Sequence, residues 1–203
     1  MIRNSPLWQF DLGPMGNPSI DDISITEEFF AADECDAVLD VSADMRWHAA
    51  QVSSGPKRQA TYEPSVRSAR SARLPIPGTW PYKRLYHRIT AVNDIHFRFR
   101  LHGVPASDCP SVIRYESSTT DHFRPHRDSG PAHSTRRLSY VVQLTEANEY
   151  IGGDLVFRDV GLKAPRDRGT LVIFPSSLLH VVTPVVAGVR ETLVGWIHGP
   201  APV

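Results

Sequence analysis

At 203 residues, with 41% hydrophobic and 22% charged side chains, the chain is long enough for one sizeable core and short for two domains. Its 22 Lys plus Arg balance 22 Asp plus Glu, so bulk charge gives no reason to expect nucleic acid or an anionic membrane as a partner. Cys35 and Cys109 form no CxxC pair or disulfide framework, no apolar run is long enough to span a bilayer, and the opening MIRNSPLWQFDLG lacks a signal-peptide core. The expectation is therefore a cytoplasmic protein, with its oligomeric state left open.

The first 22 residues are rich in Pro, Gly and Asp and read as an arm or loop. A helix follows, with Asp33 as its expected cap and Cys35, Val38, Leu39 and Ser42 on one face. Residues 55–79, punctuated by Gly55, Pro56, Pro64, Pro75, Pro77 and Gly78, read as a long loop. Its Lys57, Arg58, Arg67, Arg70 and Arg73 suit a solvated segment, or a lid whose arginines meet an anionic group on a substrate. A second amphipathic helix fits 82–95, burying Leu85, Ile89 and Val92, and the alternation of FRFRL (97–101) predicts a strand. From residue 111 onward the pattern becomes short strands: 111–117, 137–144, 154–159, 169–174, 180–185 and 191–197. Many short strands separated by turns argue for an antiparallel sandwich or jelly roll, with the two helices packed outside one sheet.

The informative segment is Phe123-Arg124-Pro125-His126-Arg127-Asp128. His126 and Asp128 are two apart, so on a strand they share a face and can meet one metal. His180 opens a later strand. Two histidines and one carboxylate suit non-haem Fe(II), because they fill one face of an octahedron and leave three positions for a 2-oxo acid and dioxygen. Arg190 follows ten residues after His180, and its planar fork suits the distal carboxylate of 2-oxoglutarate. A connection through Pro184 and Gly188 is expected to lay Arg190 on the strand beside His180. An HxD alone is weak in a chain with nine histidines. HxD, a distant His opening a strand and an Arg ten further on make a far more specific set. Arg127 and Glu191 should point away from the site, and His122, His133 and His198 read as rim residues rather than ligands.

At these residues the chain resembles the prolyl-4-hydroxylase-like branch of the Fe(II)/2-oxoglutarate-dependent dioxygenases. The likeness is closest over 112–199, in VIRY (112–115), HFRPHRD (122–128), RRLSYVVQLTEANEYIGGDLVF (136–157), GTLVIFPSSLLHVVTPVVAGVRETLVGW (169–196) and HGP (198–200). Looser matches are FFAADECDAVL (29–39) and KRLYHRITAVNDIHFRFRL (83–101). The resemblance implies a mainly β protein with flanking helices, built on a double-stranded β-helix (jelly roll, cupin-like). It implies one oxygenase domain over 1–203, with an N-terminal arm and supporting helices to 110 and the jelly-roll core over 111–200. His126, Asp128 and His180 match the metal ligands and Arg190 the anchor of the distal carboxylate. Tyr115, Gln143 and Ser139 match polar positions around the cosubstrate, and Trp196 a large residue on the pocket floor. Implied partners are Fe(II), 2-oxoglutarate and O2, with ascorbate admitted as a reductant. The implied reaction hydroxylates an unactivated C–H bond of a small amino-acid-like, peptide-like or natural-product substrate, releasing succinate and CO2. Asp128 stands where halogenase relatives carry a small residue, which favours hydroxylation. The alternatives are a protein side-chain hydroxylase of prolyl type, a cupin-like enzyme that uses no 2-oxo acid, and a non-catalytic metal-binding jelly-roll module.

Overall fold

The structure, a computed structural model, describes residues 22–54, 59–75 and 81–201. The N-terminal arm to residue 21, Lys57, Arg58, Pro77 and Gly78 lie outside the described residues.

In chain order the elements are β1 (Ser24–Thr26), α1 (Ala32–Ala43), β2 (Trp47–Ala49), β3 (Val52–Ser54), β4 (Gln59–Thr61), β5 (Arg67–Ser68), β6 (Arg70–Arg73) and α2 (Tyr82–Val92). Then come β7 (Ser111–Glu116), β8 (His122–His126), β9 (Arg136–Gln143), β10 (Tyr150–Gly152), β11 (Leu155–Phe157), β12 (Leu162–Lys163), β13 (Leu171–Pro175), β14 (His180–Val182) and β15 (Val185–His198). The larger sheet runs β1-β13-β9-β15-β7-β6-β2, with β10 also paired to β15. The smaller runs β12-β11-β14-β8-β5, and β3 pairs with β4. This is the expected mainly β jelly roll with two helices.

The larger sheet is buried on both faces, and its alternation decides what each face does. Leu138, Tyr140 and Val142 of β9, Leu171 and Ile173 of β13, and Leu193 and Ile197 of β15 pack with Cys35 and Val38 of α1 and Leu85, Ile89 and Val92 of α2. The intervening residues point between the sheets. There Val141, Val172 and Phe174 meet Leu155 and Phe157, and Ile113 and Tyr115 meet Val182 and Val185. One face carries the main core, and the other is free to build a site.

Several sequence expectations need correction. Asp33 does not cap α1; Ala31 is the cap residue, and Glu34 reaches back so that Ala31 N–H donates to its carboxylate at 2.9 Å. The 55–79 stretch is not one loop, since β4, β5 and β6 lie in it, and β6 pairs with β7 from Arg70↔Arg114 to Arg73↔Ser111. Tertiary pairing overrides the Pro and Gly punctuation there. FRFRL is not a strand either. Asn93–Phe97 is a π-helical turn, Arg98 takes a positive φ of 54°, and Asn93 holds the backbone N–H and C=O of Phe99 at 3.0 and 2.9 Å. The period of two comes from Phe97 and Phe99 stacking at 6.2 Å against the helix-side core.

Arg190 is not on the strand beside His180. After β14 the chain leaves the smaller sheet at Thr183-Pro184 and enters the larger as β15, between β9 and β7. β14 itself pairs with β11 and β8. Arg190 nonetheless faces inward, because it alternates with Val189 and Glu191 and stands opposite Tyr115.

Candidate metal centre

His126 ends β8 and His180 begins β14, and the two are register partners. Between that pair and Val182↔Phe123, β8 carries one more residue than β14. This bulge, at Arg124-Pro125, turns both Phe123 and His126 toward the interior, which regular alternation would forbid. Their rings stack at 3.4 Å between centroids, and Phe174 meets His180 edge-on at 4.9 Å. Asp128 follows in the bend after β8, with Oδ1 3.7 Å from His126 Nε2 and Oδ2 3.5 Å from His180 Nε2. The three candidate ligand atoms lie within 4.8 Å of one another.

The histidine tautomers follow from their partners. His126 Nδ1 lies 2.8 Å from the Arg124 carbonyl and His180 Nδ1 2.9 Å from the Leu178 carbonyl. A carbonyl only accepts, so each Nδ1 carries a proton and each Nε2 is the nitrogen turned toward Asp128. Burial, and then the neighbouring His180, push the His126 pKa down to about 3. Burial raises the Asp128 carboxyl, but His180, His126, the Ser139 hydroxyl and Arg136 together outweigh it and hold the group below its ordinary value. A neutral His126 and an ionised Asp128 are the states that a divalent metal requires of these two ligands. The donor set fits Fe(II): mixed N/O ligands on one side, with the other side open.

Ser139 Oγ donates to Asp128 Oδ2 at 2.7 Å and lies 2.9 Å from Ser176 Oγ, so its role is to hold the carboxylate. Arg136 is clamped by Asp108 at 2.7 and 2.8 Å and stacks over Trp196 at 3.6 Å. Trp196, paired with Ser139 across β9 and β15, therefore lines the metal end of the inner face, and its indole N–H is buried without a partner. Farther along that face sits Arg190, 2% exposed. It donates to Gln143 Oε1 at 3.0 Å and lies 5.6 Å from the Tyr115 ring centre. Gln143 in turn donates to the Pro165 carbonyl at 3.0 Å. Arg190 Nε and Thr192 Oγ1 are buried without hydrogen-bond partners, as is the Tyr150 hydroxyl. A buried guanidinium beside orphaned polar atoms fits a carboxylate brought in from outside. β9 thus links the two ends: Ser139 touches Asp128, and Gln143 touches Arg190.

All eight sequence-predicted site residues line this inner face or its end. Sequence reasoning missed Ser176, Arg136, Thr192 and Tyr150. Thr192 was within reach, being two residues after Arg190 on the same strand face. Arg127 and Glu191 do point away, pairing with Asp159 at 2.9 Å and Arg114 at 2.8 Å. His198 binds Asp108 at 3.0 Å and His133 lies 3.0 Å from Ser53 Oγ, so neither belongs to the ligand set. His122 Nδ1 lies 3.0 Å from the Thr120 carbonyl.

Residues 110–198 match the model of the 2OG-Fe(II) oxygenase superfamily. Over this segment, which is less than half of the chain, the sequence is similar to that superfamily. A PKHD-type hydroxylase from Synechococcus sp. (strain CC9902) is 37% identical over 91 residues, covering 43% of this chain and 41% of the relative. The PKHD-type hydroxylase YbiX of Escherichia coli O6:K15:H31 is 35% identical over 121 residues, covering 54% and 52%. The chain spans about half or less of the length of these curated relatives. Among solved structures, the viral collagen prolyl hydroxylase of Paramecium bursaria Chlorella virus-1, in a 2OG complex, superposes with a TM-score of 0.65 at 16% identity. It covers 88% of this chain and 97% of that one. A Pseudomonas putida prolyl-4-hydroxylase gives 0.61 at 20% identity, covering 88% and 93%. The fold is therefore similar to that of these prolyl hydroxylases.

Proposed function

We propose that this protein is an Fe(II)- and 2-oxoglutarate-dependent dioxygenase that hydroxylates an unactivated C–H bond of a small amino-acid-like or peptide-like substrate. One observation carries the reading. Two imidazole Nε2 atoms and a carboxylate converge at one end of an inner sheet face whose other end holds a buried arginine with no carboxylate partner among the described residues.

His126, Asp128 and His180 would hold the iron. Bound there, iron supplies the oxidising chemistry that couples decarboxylation of 2-oxoglutarate, to succinate and CO2, with hydroxylation of the substrate. The rest of the site binds and orients. Arg190 would take the distal carboxylate through two charge-assisted hydrogen bonds, with Thr192 Oγ1 and the Tyr150 hydroxyl as further donors. Gln143 holds the guanidinium in plane and Tyr115 backs its face. Ser139, seconded by Ser176, fixes the Asp128 carboxylate. Phe123, Phe157 and Phe174 wall the histidines with apolar rings and limit water. No side chain is needed as a general base. The prolyl hydroxylases among the structural neighbours support an amino-acid or peptide scaffold for the substrate.

The test is spectroscopic. Fe(II) and then 2-oxoglutarate are added to the protein without oxygen, and the visible spectrum is recorded. A weak charge-transfer band that needs both additions and is absent from His126→Ala is the expected result. No band despite folded, metal-binding protein would rule against 2-oxoglutarate as cosubstrate and favour a cupin-like enzyme or a binding module.

A further inference from the structure

Arg67 of β5 pairs directly with Phe123 of β8. Its guanidinium lies 4.6 Å from the centre of the Phe123 ring, the same ring that stacks on His126. The β8 bulge turns Phe123 inward, to pack beside Ile113, Tyr115 and Val182, while the guanidinium stacked on its ring is half-buried and belongs to the edge strand of the smaller sheet. The stack Arg67–Phe123–His126 leads from that sheet edge to the metal cluster, and the Arg67 charge is felt at His126.

Arg67 is also short of partners. One Nη donates to the Gln51 carbonyl at 3.2 Å, and Nε is buried with no hydrogen bond. Three arginines nearby are held by a carboxylate: Arg114 by Glu191, Arg127 by Asp159 and Arg136 by Asp108. Among the described residues Arg67 pairs with no carboxylate, and what sets it apart is a buried Nε without a hydrogen bond on a guanidinium stacked against the ring that touches His126. The charges make the point sharper. A divalent metal with Asp128 carries one net positive charge and Arg190 a second, and together these match the two negative charges of 2-oxoglutarate. Arg136 is matched by Asp108. Arg67 adds one positive charge at the sheet edge, half-buried and stacked, where guanidinium recognises planar anions best.

We propose that Arg67 anchors a carboxylate of the substrate. The substrate is then a carboxylic acid, either a free amino acid or a peptide held by its C-terminal carboxylate, with its C–H bond directed past Phe123 to the metal site. This rests on the oxygenase reading above and narrows its substrate class.

The experiment uses the full chain loaded with Zn(II) and saturating 2-oxoglutarate. It is titrated calorimetrically with the free L-amino acids, their α-carboxamides, and N-acetylglycyl peptides ending in the same residues with free C termini. At least one acid should bind about 10-fold or more tighter than its amide, the worth of one charge-assisted hydrogen-bond pair. That preference should shrink to about twofold or less in Arg67→Gln and return in part in Arg67→Lys, with thermal melts confirming that both variants fold. Preference among free acids identifies a free amino acid, and preference confined to the peptide acids identifies a C terminus. Equal affinity for acid and amide, a preference that survives Arg67→Gln, or no acid binding below about 10 mM overturns the assignment. The Fe(II)–2-oxoglutarate band of the unaltered protein separates the two failures. A band without an Arg67-dependent acid preference removes this inference alone, whereas no band removes the oxygenase reading with it.

Discussion

His126 ties the site to pH. Its imidazole titrates near 6.5 in an unfolded chain and near 3 in the folded one. Between those values the unfolded chain binds a proton that the folded protein refuses, so this contribution to stability is full above pH 6.5 and declines as pH falls toward 3. Asp128 acts in the same direction lower down, its contribution present above its ordinary 3.8 and lost as the pH falls further. Urea melts of the metal-free protein should show lower stability at pH 5 than at pH 7.5, and His126→Gln should flatten that slope. An unchanged slope would locate the proton uptake elsewhere. Arg190 makes a second prediction. Truncating one partner of a buried charge pair costs about 2–5 kcal/mol, so Arg190→Ala should weaken 2-oxoglutarate binding by about 30-fold or more. Arg190→Lys should restore little of it, since an ammonium cannot reproduce the fork. Calorimetry without oxygen reads both, and wild-type affinity in Arg190→Ala would disprove the assignment of the distal carboxylate.

At the scale of elements, the Gly152-Gly153 turn after β10 braces β15. Gly153 has φ +63°, and a Cβ there would stand 2.9 Å from Val185 Cγ2 and 3.0 Å from Arg190 Cδ. Gly153→Ala should therefore cost about 1 kcal/mol or more in stability and also displace the Arg190 stem. Its distinguishing sign is weaker 2-oxoglutarate binding together with unchanged metal affinity, measured by titrating each separately. The elements also show what could be read beforehand. The HxD pair, His180 and Arg190 were legible because a few residues of local spacing carry them, and the strands from 111 on because hydrophobic runs mark them. β5 and β6 were not. RSARSAR has no apolar alternation, and it becomes strand only because β7 and β8 offer free edges. The β8 bulge was equally hidden, since an extra residue is visible only against its partner strand. Thr183-Pro184 looked like a turn within one sheet and is instead the crossing between two. Ser176 and Arg136 reach the site through long-range contacts, for which a single sequence holds no periodic signal, and the same is true of the stacking of Arg67 on Phe123.

At the scale of the whole molecule, α1 and α2 lie only on the side of the larger sheet that faces away from the site. Leu85 is fully buried there, so Leu85→Ala should destabilise the fold by about 2–5 kcal/mol. Below its lowered melting temperature, the same protein should bind 2-oxoglutarate with wild-type affinity. A matching loss of affinity would mean that the helices shape the site as well as support it. The alternation along β9 and β15 then has a consequence for how such a protein can change. Positions 139, 141, 143, 190, 192, 194 and 196 form one set and positions 138, 140, 142, 193 and 197 another, interleaved in sequence but separated by the thickness of a sheet. Substitutions in the first set can explore new chemistry while the second keeps the melting point, so a lineage or a designed library can vary selectivity and robustness independently within the same two strands.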